Sequence, residues 1–201
     1  MEDTYRTIAK PVQAIFKEKG SKFLAFAYPV SNENEIQKIL DKAHREYYDA
    51  RHHCYAWRLG VEMQRYRAND DGEPSGTAGL PIFNQIKSKE LSNVLVVVVR
   101  YFGGILLGTG GLTSAYKTAT INVLNEAEII TKTENDQLTV HFDYQQTNEV
   151  MKLIKDEKLE LVYQQFNEDC HITISIRRSK APIIIEKLLK IKSVSIENVI
   201  N

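Results

Sequence analysis

Six consecutive aliphatic residues, Val94-Leu95-Val96-Val97-Val98-Val99, run directly into Arg100-Tyr101-Phe102-Gly103-Gly104. A β-branched and aliphatic run with no polar position reads as a central strand buried on both faces. It is far too short to cross a bilayer, which needs about 20 apolar residues. The neighbouring segments have the periodicity of elements that could surround it. Ser21–Val30 reads as a strand. Ile36, Ile39, Leu40, Ala43 and Tyr47 recur at helical spacing behind Ser31 or Asn32 as N-cap, with Glu33 and Glu35 in the first turn. His53–Leu59 alternates as a strand, and Met63–Arg67 is its expected hairpin partner. Asn69–Gly76 has the residues of a loop, and a helix that begins near Thr77 turns Ile82, Phe83 and Ile86 inward, with Pro81 in its first turn. After the glycines, Leu112, Ala115, Tyr116, Ala119 and Val123 make the inner stripe of a long helix.

The polar segment Thr131–Asp136 is the expected boundary between domains at 1–132 and 136–201. Beyond it the chain reads as strand (Leu138–Tyr144), helix (Thr147–Lys158), two strands (Leu161–Phe166, His171–Ile176), helix (Ala181–Lys190) and strand (Val194–Ile200). That β-α-β-β-α-β order is ferredoxin-like, so the fold class is α+β in two domains.

Charge narrows the function. Lys+Arg and Asp+Glu number 26 each in 201 residues, so nucleic acid could be held only by a local basic patch. Two such patches occur: Arg58, Arg65 and Arg67 around Tyr66, and Arg177, Arg178 and Lys180, with Lys187, Lys190 and Lys192 following. Phosphate backbones attract clusters of this kind and tyrosines stack on unpaired bases, although a solvated face has the same composition. Cys54 and Cys170 are distant and lack metal-ligand spacing, so both read as reduced, buried thiols. The segment M-E-D-T-Y-R lacks the form of a signal peptide, and the expected location is cytoplasmic, with no membrane contact.

Chemistry could reside in two segments. Gly103, Gly104, Gly108, Thr109, Gly110 and Gly111 link a buried strand to a helix start, where unpaired N–H groups and close backbone approach suit an anion. The spacing fits neither G-x-x-x-x-G-K-[ST] nor G-x-G-x-x-G, and a tight turn that packs the helix on the sheet uses the same residues. The acidic loop Asp70-Asp71-Gly72-Glu73 is short of ligands for a metal, and a carboxylate there is better read as the partner of Arg100 or of Arg65 and Arg67. Asp70, Asp71, Glu73, Arg100 and Tyr101, with the glycines, therefore form a candidate anion or ligand site. His53 and Cys54 point to opposite faces of one strand and cannot form a dyad, and His52-His53-Cys54 is too compressed for a common zinc cluster. No catalytic residue, metal or cofactor is expected.

The strings D-D-G-E-P-S-G-T-A-G (70–79) and V-V-R-Y-F-G-G (98–104), followed by L-G-T-G-G-L (107–112), resemble the signature of the IMPACT/YigZ family. H-H-C-Y-A (52–56) and K-G-S-K-F (19–23) are similar to it as well. The resemblance implies an N-terminal domain similar to domain IV of elongation factor G and a C-terminal domain similar to its domain V. It further implies a binding role in translation, with RNA or the ribosome as partner. The alternative is an enzyme or sensor for a small phosphorylated ligand at the glycine-rich helix start.

Overall fold

The computed structural model describes residues 3–62, 65–167 and 170–199. They divide into a larger unit, Tyr5–Lys132, and a smaller one that runs from Thr133 onward and includes Asp3 and Thr4.

The larger unit contains strands β1 (Thr4–Ile8), β2 (Val12–Glu18) and β3 (Ser21–Pro29), then α1 (Glu33–Glu46), β4 (His52–Leu59), β5 (Arg65–Asn69), α2 (Gly79–Ser88), β6 (Val94–Tyr101), α3 (Gly108–Asn125) and β7 (Ile129–Thr133). β1 pairs with β7, and the other five strands form one sheet in the order β2-β3-β6-β4-β5. All four of its pairings are antiparallel. The aliphatic run is the middle strand, and every residue from Val94 to Val99 has zero exposure. Its alternation feeds two cores. Val94, Val96 and Val98 meet Ile82, Ile86 and Tyr116 of α2 and α3, whereas Leu95, Val97 and Val99 meet Ile36 and Leu40 of α1. Fully burying such side chains stabilises by about 1.5–3 kcal/mol each, so this one strand anchors both layers.

Asn32 is the N-cap of α1: its side chain accepts from the Glu35 N–H at 2.9 Å, while the Ser31 N–H donates to Glu35 Oε2 at 2.8 Å. The cap thus satisfies one of the unpaired amides of the first turn, and Glu35 reaches back to the residue before the cap. Helix α2 starts at Gly79, two residues past Thr77: Ala78 is its N-cap with a non-helical φ of −127°, and the Asp70 carboxylate accepts from the Gly76, Ala78 and Gly79 amides. Of the expected hairpin partner 63–67, β5 begins at Arg65, and Met63 and Gln64 lie outside the described residues.

The smaller unit comprises β8 (Asn135–Phe142), α4 (Thr147–Asp156), β9 (Glu160–Phe166), β10 (Cys170–Arg177), α5 (Ala181–Leu189) and β11 (Ser195–Val199); Ile200 lies outside the described residues. Strand order β11-β8-β10-β9 with antiparallel pairing is the ferredoxin-like arrangement. Val150, Ile154, Ile184 and Leu188 of the two helices pack on Val140, Ile172 and Ile174 of the sheet. Within this unit the Asp3 carboxylate accepts from Arg177 Nε and Nη2 at 2.7 and 2.8 Å and from the Ser179 N–H at 3.1 Å. Cys54 and Cys170 are both free and buried. Among the described residues no helix is long and apolar enough to cross a membrane.

Candidate functional site

The site is built on the side of the sheet that carries α3. Arg100, the last residue of β6 on that face, is only 6% exposed, so its charge must be met inside the protein. The expected carboxylate partner is Glu73: Arg100 Nη1 donates to Glu73 Oε1 at 2.7 Å. The Tyr116 hydroxyl of α3 donates to the same oxygen at 2.8 Å, and Arg100 Nη2 lies 3.4 Å from Ser21 Oγ. The guanidinium stands between the Phe23 and Phe102 rings, 5.6 and 5.7 Å from their centroids, a cation–π arrangement. Its Nε is buried and has no hydrogen-bond partner among the described residues.

The loop that delivers Glu73 is tied down at each acidic position. Asp70 Oδ1 accepts from Ala78 and Gly79, and its Oδ2 from Gly76, all within 2.9 Å. Burial works to raise its carboxyl, but the three backbone donors outweigh it and the pKa falls below the usual value. Asp71 Oδ2 accepts from the His53 N–H at 2.6 Å, and its carbonyl accepts from His52 Nδ1 at 2.8 Å. The glycine turn is held by a backbone contact that only glycine permits: a Cβ on Gly103 would fall 1.8 Å from the Gly20 carbonyl carbon. The Gly103 N–H donates to Ser21 Oγ, the same oxygen that faces Arg100.

Between this loop and the start of α3 lies a pocket of about 400 Å³. Arg51, His52, Glu73 and Arg100 line one side, and Phe102, Leu106 and the Gly108–Thr109 helix start line the other. Helix α3 opens without a side-chain cap and without an acidic residue in its first turn, so its N–H groups and positive dipole end face the pocket unneutralised. The Asp71 carbonyl can only accept, so the His52 Nδ1 carries a hydrogen. Phe102 and Leu106 at the rim are 49% and 84% exposed. Such a site suits an anionic group at the helix start with an apolar or aromatic body beside it.

The structure thus brings Glu73, Arg100, Gly108 and Thr109 together, and adds Arg51, His52 and Phe102, of which the last two lie in the signature strings but are not among the expected site residues. Gly103 and Gly104 form the turn that delivers the rim, and Gly110 and Gly111 lie in the first turn of α3. Asp70 and Asp71 do not line the pocket; their carboxylates are taken by backbone amides of the loop and of β4. Tyr101 alternates to the opposite face, where its hydroxyl donates to Asp49 at 2.8 Å; burial and that carboxylate push its pKa up to about 12. Cys54 faces Tyr116 beneath the pocket, and burial pushes both its thiol and the phenol well up. A thiol so held is protonated at neutral pH and is not a nucleophile.

The two basic patches are partly committed to carboxylates. Arg65 donates to Glu33 at 2.6 Å, Arg58 is half-buried, Arg67 is exposed on β5, and Tyr66 stacks on Phe83. Arg177 grips Asp3, and Arg178 pairs with Glu134 and Asp136. Lys180 is exposed before α5.

Residues 19–124 match the model of the Impact N-terminal domain. An IMPACT family member of Haemophilus influenzae is 34% identical over 166 residues, covering 81% of both chains. The IMPACT family member YigZ of Escherichia coli is 35% identical over 148 residues, covering 73% of this chain and 72% of its own. A crystal structure of a protein described as hypothetical superimposes over the full length of both chains with TM-score 0.76 and 27% identity. The sequence, from the glycine turn to the buried Arg100–Glu73 pair, is therefore that of a chain belonging to the IMPACT family.

Proposed function

We propose that this protein acts in translation by binding RNA, and that a phosphate of the RNA sits at the start of α3. The observation that carries this reading is the convergence of Arg51, His52 and Arg100 with an uncapped helix start, beside an exposed Phe102. Phosphate bound by helix-start amides and basic side chains, with a splayed base stacked on an aromatic ring, is how unpaired RNA is held by many proteins. Family membership supports a general role in translational regulation. Arg67 and Lys180 extend the basic surface, whereas Arg177 and Arg178 act first through their carboxylate partners.

The test is a salt titration of ribosomal subunits or structured RNA against the protein and its Thr109→Asp variant. A carboxylate in the first turn favours the helix and repels a phosphate, so binding loss cannot be attributed to unfolding. The expected result is RNA affinity at least about tenfold weaker in the variant, with a shallower salt dependence. Binding that is absent at low salt, or equal in the two proteins, would overturn the reading.

One observation favours a second reading, a small phosphorylated ligand in the same pocket. Arg100, whose buried Nε has no hydrogen-bond partner among the described residues, belongs to the lining of the pocket and not to the exposed basic patches. A thermal shift produced by nucleotides, lost in Thr109→Asp and unaffected by RNA, is the outcome that selects it.

A further inference from the structure

On the α1 face of the sheet, away from the pocket, His44, His53 and Asp71 each present one donor atom within 4.8 Å of the others. His44 lies in the last turn of α1, His53 is on β4, and Asp71 is in the acidic loop. The two imidazole rings are 4.1 Å apart between centroids. His53 is buried at 4% exposure, and its Nε2 is 3.1 Å from the Tyr47 carbonyl. A carbonyl only accepts, so the hydrogen of the neutral ring is on Nε2 and the lone pair is on Nδ1. That lone pair faces Asp71 Oδ2 at 3.7 Å; this oxygen accepts from the His53 N–H at 2.6 Å and keeps a second lone pair for a cation. Two electron-rich atoms are thus held towards each other, with the exposed His44 ring at the open side.

We propose that His44, His53 and Asp71 bind one zinc-class divalent cation, with solvent completing the coordination. Ligands of a tetrahedral zinc at about 2.0–2.1 Å stand roughly 3.3–3.4 Å apart, so the 3.7 Å pair needs to close by only a few tenths of an ångström. The exposed His44 supplies the remaining movement by rotating its side chain. Two imidazole nitrogens and one carboxylate suit zinc or its neighbours, not magnesium, which takes oxygen ligands. The surroundings match what orients metal ligands: His53 donates its second ring N–H to a backbone carbonyl, and Asp71 is fixed by the Asn69 side chain at its own N–H and by His52 at its carbonyl. The ligands come from a helix, a strand and a loop, which is why no ligand spacing is visible in the sequence. A bound cation would clamp the acidic loop to α1, and this inference does not depend on what occupies the pocket.

The experiment is calorimetric titration of the chelator-treated protein with zinc chloride, repeated with cobalt(II) to read the visible absorption of a four-coordinate site. The expected result is one equivalent of metal and an intense cobalt spectrum. His44→Ala, a substitution at an exposed position, should weaken zinc by at least about tenfold and abolish the spectrum while leaving the melting temperature of the metal-free protein unchanged. His141→Ala, beside His171 in the smaller unit, serves as control and should change neither. No stoichiometric uptake, uptake unaffected by His44→Ala, or uptake lost in His141→Ala would each overturn the proposal.

Discussion

Replacing Glu73 with alanine strips Arg100 of its charged partner while the guanidinium stays buried, its side chain only 7% exposed. The change also removes the acceptor of the Tyr116 hydroxyl. Breaking a buried ion pair from one side costs about 3–5 kcal/mol, because the surviving charge has lost its solvation and its counter-ion together. At about 2–4 °C per kcal/mol for a chain of this size, the melting temperature should fall by about 6–20 °C. Urea unfolding followed by the fluorescence of Trp57, the single tryptophan and a core residue of the larger unit, reads the effect where it occurs. Glu73→Met with Arg100→Met supplies the decisive comparison. Replacing both members of a buried pair with apolar side chains is often neutral, so the double variant should exceed Glu73→Ala in stability by at least about 2 kcal/mol. A single variant that costs less than about 1 kcal/mol, or a double variant no more stable than the single, would refute the reasoning.

Two glycines in the same signature should respond in opposite directions. Gly103→Ala drives a Cβ to within 1.8 Å of the Gly20 backbone and should cost at least about 3 kcal/mol, whereas Gly110→Ala meets nothing within 4 Å and should gain about 0.5–1 kcal/mol from helix propensity. Chemical denaturation of the two variants is sufficient to check this. Acid should weaken the smaller unit through Asp3. Hydrogen bonds from Arg177 and Ser179 hold its carboxyl well below the usual carboxylate range, so the folded state releases that proton more readily than the unfolded state. Its contribution is therefore complete above the ordinary carboxylate range and declines as the pH falls below it; Asp3→Asn should flatten that part of the pH–stability curve.

The fold is largely legible in the sequence because its strongest signals are periodic. The Val94–Val99 run, the α1 stripe and the β-α-β-β-α-β rhythm each encode one local geometry. β2 escapes such a reading although Val12, Ala14 and Phe16 turn towards the core: exposed Ile15 breaks the alternation, and the strand is at the sheet edge. The Arg100–carboxylate pair is legible as a chemical need, since a buried arginine requires a partner. Arg51 and His52 are not, because their place in the pocket follows from the register that sets His52 opposite Arg100. Asp70 and Tyr101 fall outside the pocket lining for the same reason. A residue type shows what a side chain can bind, but strand parity and local backbone donors decide what it meets.

The Asp3–Arg177 contact has a consequence for the order in which the protein matures. The two residues are 174 positions apart in sequence but belong to the same unit. At about 5–20 residues per second, Asp3 waits about 9–35 s on the ribosome before its partner is synthesised. Once Lys132 has been synthesised, all strands and helices of the larger unit are present, and they have about 2–9 s to fold before Arg177 follows. The smaller unit must therefore be the later product of synthesis, and a fragment that starts after Lys132 would lack one of its own buried carboxylates. A domain boundary chosen from sequence continuity alone would cut through a unit that the chain assembles from both of its ends.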